Sequence, residues 1–258
     1  MRVDLFILWT EAAKSSGQMK YCKEFLNYKI LSCMKKFMFA SPVLEVGCGI
    51  GETLIEISEE YDIKGIDLSE EAVTICRSKG LNVEKSDLFT VSEKFNSIIC
   101  VDVIEHIRDD EVFVKHIYKI LNHRGKLFVL VPSGKFLQDD INFGHYRRYS
   151  SSAITELLRK NNFLIISTKM FGYPFFYYAR LIMNFLYSHD VKKDIDFQQQ
   201  TLKSSYEHPF DNTIPVKVLK MIFKTLVLSK IFLKFLLLQD YFANGDKGLG
   251  VIIIASKS

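Results

Sequence analysis

An α/β fold on a mostly parallel sheet is what this sequence predicts, and two patterns predict it. From Val43 onward, short apolar strand-like runs alternate with amphipathic stretches long enough for a few helical turns. The strand-like runs are also apolar almost throughout, as in Leu127-Phe128-Val129-Leu130-Val131. Such runs suit strands covered on both faces, and strands alternating with helices place helices over both faces of one sheet.

In chain order, the residues from Gln18 to Phe39 carry Phe25, Leu26, Ile30, Leu31, Met34, Phe37 and Met38 at helical spacing with lysines between them. This predicts an amphipathic N-terminal helical segment within residues 1–40. Pro42 closes the helical option, and Val43–Val46 begins the first strand. Further strands are expected at 63–66, 81–83, 98–101, 126–131 and 163–168, with helices at 52–60, 70–79, 110–121 and 151–161. A last apolar run, 250–255, adds a seventh strand.

The alternation breaks at about 172–247, which reads as a helical insertion before the last strand of a main domain spanning 41–258. It opens on an aromatic-rich stretch, 174–187, followed by a polar one. The insertion then carries a helical pattern at 215–238, whose lysines Lys217, Lys220, Lys224, Lys230 and Lys234 fall within about 140° of arc. Such a helix is suited to a membrane interface, to covering a substrate pocket or to a dimer contact. No uncharged run there is long enough to span a membrane.

Composition narrows the function classes. A 258-residue chain with 48% hydrophobic and 25% charged residues, 13 Gly and 5 Pro is a folded protein with room for a large core, not a disordered or collagen-like one. Its 34 basic and 30 acidic residues leave +4, too slight an excess to argue for nucleic acid as a partner. The cysteines Cys22, Cys33, Cys48, Cys76 and Cys100 are odd in number and contain no Cys-x-x-Cys pair. A disulfide framework and a sulfur-ligated metal site are therefore both unexpected, and no metal is assigned. The apolar run from Leu5 to Trp9 is flanked by Asp4 and Glu11 and is too short for a signal peptide or a span, so a cytoplasmic location is expected.

The chemistry-bearing signal is Val43-Leu44-Glu45-Val46-Gly47-Cys48-Gly49-Ile50-Gly51-Glu52, a strand entering a three-glycine turn and then a helix. Glycine leaves the backbone open to a ligand and accepts positive φ, although a plain tight turn would use it too. In a doubly wound sheet this turn lies at the crevice where ligands bind. Asp67 ends the second strand and can accept hydrogen bonds from both hydroxyls of a ribose. Helix capping is its alternative role, for which Ser69, followed by Glu70 and Glu71, is better placed. Asp87, ending the third strand, puts a second carboxylate on the same edge. The loop itself contains no Lys or Arg, and Glu52 stands where a dinucleotide site has its third glycine, so its charge would oppose a pyrophosphate. No Gly-Lys-Ser/Thr follows, which excludes a P-loop. A nucleoside bearing a cationic sulfonium and an amino-acid tail fits better, with Glu45 and the loop backbone facing its ammonium group.

The run from Val43 to Gly51 resembles the first motif of the class I S-adenosylmethionine-dependent methyltransferases. Ile66-Asp67-Leu68-Ser69 resembles their second motif, and Ser86-Asp87-Leu88 their adenine-contacting segment. The residues from Ile98 to Ile107 resemble their fourth strand and the loop after it. The stretch from Leu121 to Pro132 resembles the segment that follows, with His123-Arg124-Gly125 in place of the usual Pro-Gly-Gly. The resemblance covers residues 41 to 170 in order and is specific for cofactor and fold, not for substrate. It implies a Rossmann-like seven-stranded sheet, mostly parallel with the last strand antiparallel, and S-adenosylmethionine as cofactor. It further implies that Glu45, Gly47, Cys48, Gly49 and Gly51 line the methionine moiety. Asp67 and Leu68 would adjoin the ribose, Asp87 and Leu88 the adenine, and Asp102 and Val103 the sulfonium side.

Acceptor-side residues must come from loops at the same sheet edge. His106 follows the fourth strand and His145 lies in Gly144-His145-Tyr146-Arg147-Arg148-Tyr149-Ser150. Histidine titrates near neutrality, so either could act as a general base, and either could equally be structural. Tyr146, Arg147 and Arg148 could bind a phosphate or carboxylate of the acceptor, or the arginines could pair with surface acids while Ser150 caps the next helix. The cluster resembles a stretch in bacterial methyltransferases associated with surface-glycan or lipid-linked pathways. The expected function is methyl transfer to oxygen or nitrogen of a small-molecule, saccharide or lipid-linked acceptor. A quinone-type or other apolar acceptor and a non-catalytic methyltransferase-like binding module are alternatives, and a nicotinamide oxidoreductase is disfavoured by Glu52. Peripheral membrane contact and a homodimer stay open as further associations.

Overall fold

The computed structural model describes residues 20–174, 177, 178, 181 and 247–258. The insertion expected at 172–247, with its basic helical pattern at 215–238 and most of the aromatic stretch, lies outside the described residues.

Seven strands form one sheet: β1 (Val43–Val46), β2 (Ile63–Asp67), β3 (Val83–Lys85), β4 (Phe95–Val101), β5 (Leu121–Pro132), β6 (Phe163–Phe171) and β7 (Gly250–Lys257). Their spatial order is β3-β2-β1-β4-β5-β7-β6. The pairs from β3 through β5 are parallel, and β7 runs antiparallel to both β5 and β6. The described helices are α1 (Lys20–Lys36), α2 (Glu52–Ser58), α3 (Glu70–Ser78), α4 (Asp110–Ile120), α5 (Gln138–Asn142) and α6 (Ser151–Lys160).

The period-two geometry of a strand divides the core into two layers. Ile98, Cys100, Leu127, Val129 and Val131 project to the side where α4 supplies Phe113, Val114 and Ile117 and α6 supplies Ile154 and Leu158. Ile99, Val101, Phe128 and Leu130 project to the other side, against Leu54 and Ile57 of α2 and Val73 and Cys76 of α3. Ile30 and Met34 of α1 are fully buried in that second layer. The N-terminal helix therefore completes a face of the sheet, and Asn27 ties it to α2 by donating to the carbonyl of Glu52 at 3.3 Å.

Capping residues set the helix starts. Ser69, Asp109 and Ser150 accept from the backbone N–H groups of Ala72, Val112 and Ala153. Strand bounds differ from the sequence expectation where tertiary pairing decides them. β3 begins at Val83 and not at 81, because Leu81 N–H still closes the turn leaving α3, donating to Cys76 O at 3.1 Å. β5 starts as early as Leu121, opposite Phe95 of β4. β6 extends to Phe171 because β7 offers a partner along its whole length.

Candidate functional site

The parallel strands β1, β2 and β4 end at one edge of the sheet, and the segments that follow them assemble the site. After β1 the chain turns through Gly47, Gly49 and Gly51, all at positive φ. At Gly47 the need for glycine is double, since φ is 66° and a β-carbon would lie 2.7 Å from Cγ2 of Val103. At Gly51 a β-carbon would meet Leu81 Cδ1 at 2.5 Å and Cys76 Sγ at 2.9 Å. The turn is thus wedged between the segment after β4 on one side and α3 on the other.

Asp67 reaches back to hold it. Its Oδ2 accepts from Gly49 N–H at 2.8 Å and its Oδ1 accepts from Ser69 N–H at 2.9 Å, with only 4% of the residue exposed. A carboxylate has about four acceptor positions, so each oxygen keeps capacity for a further donor. Leu68 beside it is exposed. Glu45 is fully buried on β1. Asp87 is exposed and accepts from Phe89 N–H at 3.0 Å, while Leu88 next to it is buried. A lysine that sequence inspection of the loop did not reveal arrives from outside: Lys79, just after α3, donates to Ile50 O at 2.8 Å.

Past β4 the backbone turns sharply. Asp102 is buried with φ 51°, and Val103 leads into a short 3-10 turn, Ile104–His106. Here the structure joins residues far apart in sequence. Tyr146 N–H donates to Glu105 O at 2.8 Å, which ties the segment after α5 to the turn after β4. The rings of His106 and His145 meet edge-to-face with centroids 4.7 Å apart. His106 Nδ1 lies 3.3 Å from Gly144 O, and His145 Nδ1 lies 2.9 Å from Asp140 Oδ1. Burial first, and His145 beside it second, hold the His106 imidazole down to about 3, so near neutral pH it is uncharged. The near-neutral titration expected of His106 as a general base does not survive its burial.

The arginines are engaged within the protein. Arg148, with 2% of its side chain exposed, donates to Asp140 Oδ1 at 2.6 Å and to Ser133 O at 2.7 Å. The acceptor-binding role expected of Arg148 is corrected accordingly: its guanidinium holds Asp140, which orients His145. Arg147 pairs with Asp110 and donates to Arg108 O at 2.6 Å, keeping part of its side chain in solvent. Ser150 caps α6, and Tyr146 is 46% exposed.

The profile of the methyltransferase domain family matches residues 20–168, more than half of the chain. The chain belongs to the class I S-adenosylmethionine-dependent methyltransferase family. Ajmaline N-methyltransferase of Rauvolfia serpentina is 30% identical over 101 residues, which are 34% of this chain and 35% of that protein. Ubiquinone biosynthesis O-methyltransferase of Idiomarina loihiensis is 29% identical over 103 residues, 35% of this chain and 42% of that one. The chain thus aligns with less than half the length of these curated relatives. Among solved structures, a SAM-dependent methyltransferase from Archaeoglobus fulgidus superposes with a TM-score of 0.56 at 18% identity, covering 98% of this chain and 100% of that one. That likeness is one of fold.

The residues present suit the cofactor of this methyltransferase family, S-adenosylmethionine. The turn at Gly47 carries no side chain where one would collide with Val103, and a buried carboxylate with spare acceptor capacity sits behind Gly49. Glu45, Asp67 and Asp102 are all buried acids at or near this edge, which favours a cationic ligand over a pyrophosphate. Among the described residues, no helix is long and apolar enough to cross a membrane.

Proposed function

We propose that the chain transfers a methyl group from S-adenosylmethionine to a nitrogen or oxygen of a small-molecule acceptor. The observation that carries this is the Gly47–Gly51 turn, tied to Asp67 through Gly49 N–H at 2.8 Å and standing against Val103. When bound, S-adenosylmethionine supplies a methyl carbon already activated by a positively charged sulfur. The protein's remaining work is positional. Gly47, Gly49 and Gly51 admit the amino-acid tail, with Glu45 beneath its ammonium group. Asp67 accepts from the ribose hydroxyls while keeping the loop in place, Asp87 and Leu88 bound the adenine, and Asp102 and Val103 flank the sulfonium.

On the acceptor side, His106 presents an electron-pair donor and not a stored charge, because it is uncharged near neutral pH, and the His145 ring stands edge-to-face against it. Both nitrogen and oxygen acceptors occur among the relatives, as the names of the alkaloid and ubiquinone-pathway enzymes state. A saccharide or lipid-linked acceptor, and contact with a membrane surface, are finer versions supported by sequence alone. With Arg148 committed inside the protein, an anionic group on the acceptor would meet Arg147 and Tyr146.

Calorimetry with S-adenosylmethionine and with NADH tests the cofactor. Binding of the first and none of the second is expected, and the reverse would overturn the proposal. Methyl transfer from labelled cofactor to a panel of amine, phenol and saccharide acceptors then separates an enzyme from a cofactor-binding module.

A further inference from the structure

The cysteine spacing gave no reason to expect a metal. The folded chain gathers a different donor set. Glu105, His106 and His145 each offer a ligand atom, and these atoms lie within 4.8 Å of one another. We infer that Glu105, His106 and His145 form a binding site for a divalent first-row transition cation, at the end of β4 beside the cofactor turn.

The hydrogen bonds around the two rings decide which nitrogens are available. Gly144 O can only accept, so the His106 atom facing it, Nδ1, carries the proton. Asp140 Oδ1, which also receives Arg148 Nε, is an acceptor as well, so His145 Nδ1 carries the proton there. A neutral imidazole bonded in this way has its lone pair on Nε2. Both Nε2 atoms are shut off from solvent, and neither has a hydrogen-bond partner among the described residues. Two buried acceptor nitrogens left without a donor are a cost that a folded protein rarely carries without a ligand to relieve it. A carboxylate or a backbone carbonyl behind Nδ1 is also the arrangement that orients metal-bound histidines and raises their basicity.

The framework is rigid where a metal site needs it. Tyr146 N–H bonded to Glu105 O fixes the two segments relative to each other, and Arg148 with Leu137 N–H fixes Asp140 behind His145. Ligands about 2.1 Å from one ion stand about 3.4 Å apart in a tetrahedral site, so donors within 4.8 Å of one another close on an ion by side-chain rotations of about an ångström. Two imidazoles and one carboxylate favour Mn²⁺, Fe²⁺, Co²⁺ or Zn²⁺ over Mg²⁺ or Ca²⁺, which take all-oxygen sets. Three protein ligands leave coordination positions open, and Val103, next to this turn, is the residue that meets Gly47. An oxygen of the acceptor is therefore the class of ligand the open positions would take. The site stands on its own residues and does not depend on methyl transfer being the reaction.

Protein stripped with a chelator and titrated with Co²⁺, without nucleoside, tests this. One ion per chain is expected, with visible absorption typical of nitrogen-ligated Co²⁺ and competition by Zn²⁺. His106→Gln and Glu105→Gln each remove a ligand and are expected to weaken the affinity by at least about the tenfold that loss of a supporting partner behind a ligand costs. Should either variant fail to fold by circular dichroism, anomalous scattering from a Co²⁺-soaked wild-type crystal decides: an ion bonded to both Nε2 atoms supports the site. Absence of Co²⁺ binding, an ion located elsewhere, or unchanged affinity in folded His106→Gln would overturn it. S-adenosylmethionine binding is read in a separate titration, so loss of the metal site and loss of the proposed activity are distinguishable.

Discussion

A β-carbon on Gly47 would stand 2.7 Å from Cγ2 of Val103, so the loop after β1 and the turn after β4 are fitted to each other without a side chain between them. Gly47→Ala is therefore expected to lower stability by about 1–3 kcal/mol, since it combines a clash with a left-handed φ of 66°. S-adenosylmethionine affinity should fall at least about tenfold as the loop shifts. The double variant Gly47→Ala/Val103→Ala removes the clash but not the φ, and should recover only part of both losses. Urea denaturation and calorimetry on the three variants measure this.

Asp67 divides its two oxygens between Gly49 N–H and Ser69 N–H. Asp67→Asn keeps one acceptor oxygen but turns an amide NH₂ toward a backbone N–H, setting donor against donor. The expected loss is about 1–3 kcal/mol of stability, together with an S-adenosylmethionine affinity reduced by about tenfold or more. Wild-type affinity in a folded Asp67→Asn protein would remove Asp67 from the cofactor site.

How much of this was legible in the sequence follows from the range of each interaction. The strand–turn–helix around Gly47 is local, and Asp67 ends its strand in plain view, so the glycine turn and the acid beside it could be read from residues alone. The antiparallel β7 was implied by resemblance to a family, not by its own apolar run, which fits either direction. The cluster of His106, His145 and Glu105 was not legible. Its members come from segments separated by nearly forty residues, joined by Tyr146 N–H to Glu105 O. Pairing of Arg148 with a surface acid was open in the sequence, but that its partner is the buried Asp140 was not, since an arginine beside a tyrosine reads as a surface residue until burial shows otherwise.

That pairing predicts what removal of Arg148 does. Arg148→Met leaves the buried Asp140 carboxylate without its guanidinium, and about 3–5 kcal/mol of stability should be lost. Arg148→Lys should recover little, because an ammonium cannot reach Asp140 and Ser133 O with the same fork. If Arg148 instead served acceptor binding, urea midpoints would be unchanged and only KM would rise.

Cys100 on β4 is fully buried, and burial first, then the nearby Glu45 and Glu105, raise its thiol well above the usual range. Burial also raises Cys76. In the unfolded chain a thiol ionises near pH 8.5, whereas the folded chain keeps the Cys100 thiol protonated well above that. Its contribution to stability is complete below that pH and is lost as pH rises beyond it, because only the unfolded state then releases its proton. Each such group lowers the unfolding free energy by about 1.4 kcal/mol per pH unit above its unfolded value. Unfolding free energy measured from pH 8 to 10 should therefore fall with a slope that Cys100→Ala makes shallower by about one proton. In the native protein at pH 8.5, Cys100 should resist iodoacetamide, and it should react once guanidinium has unfolded the chain. Rapid native labelling of Cys100, mapped by peptide mass, would contradict the buried, protonated thiol.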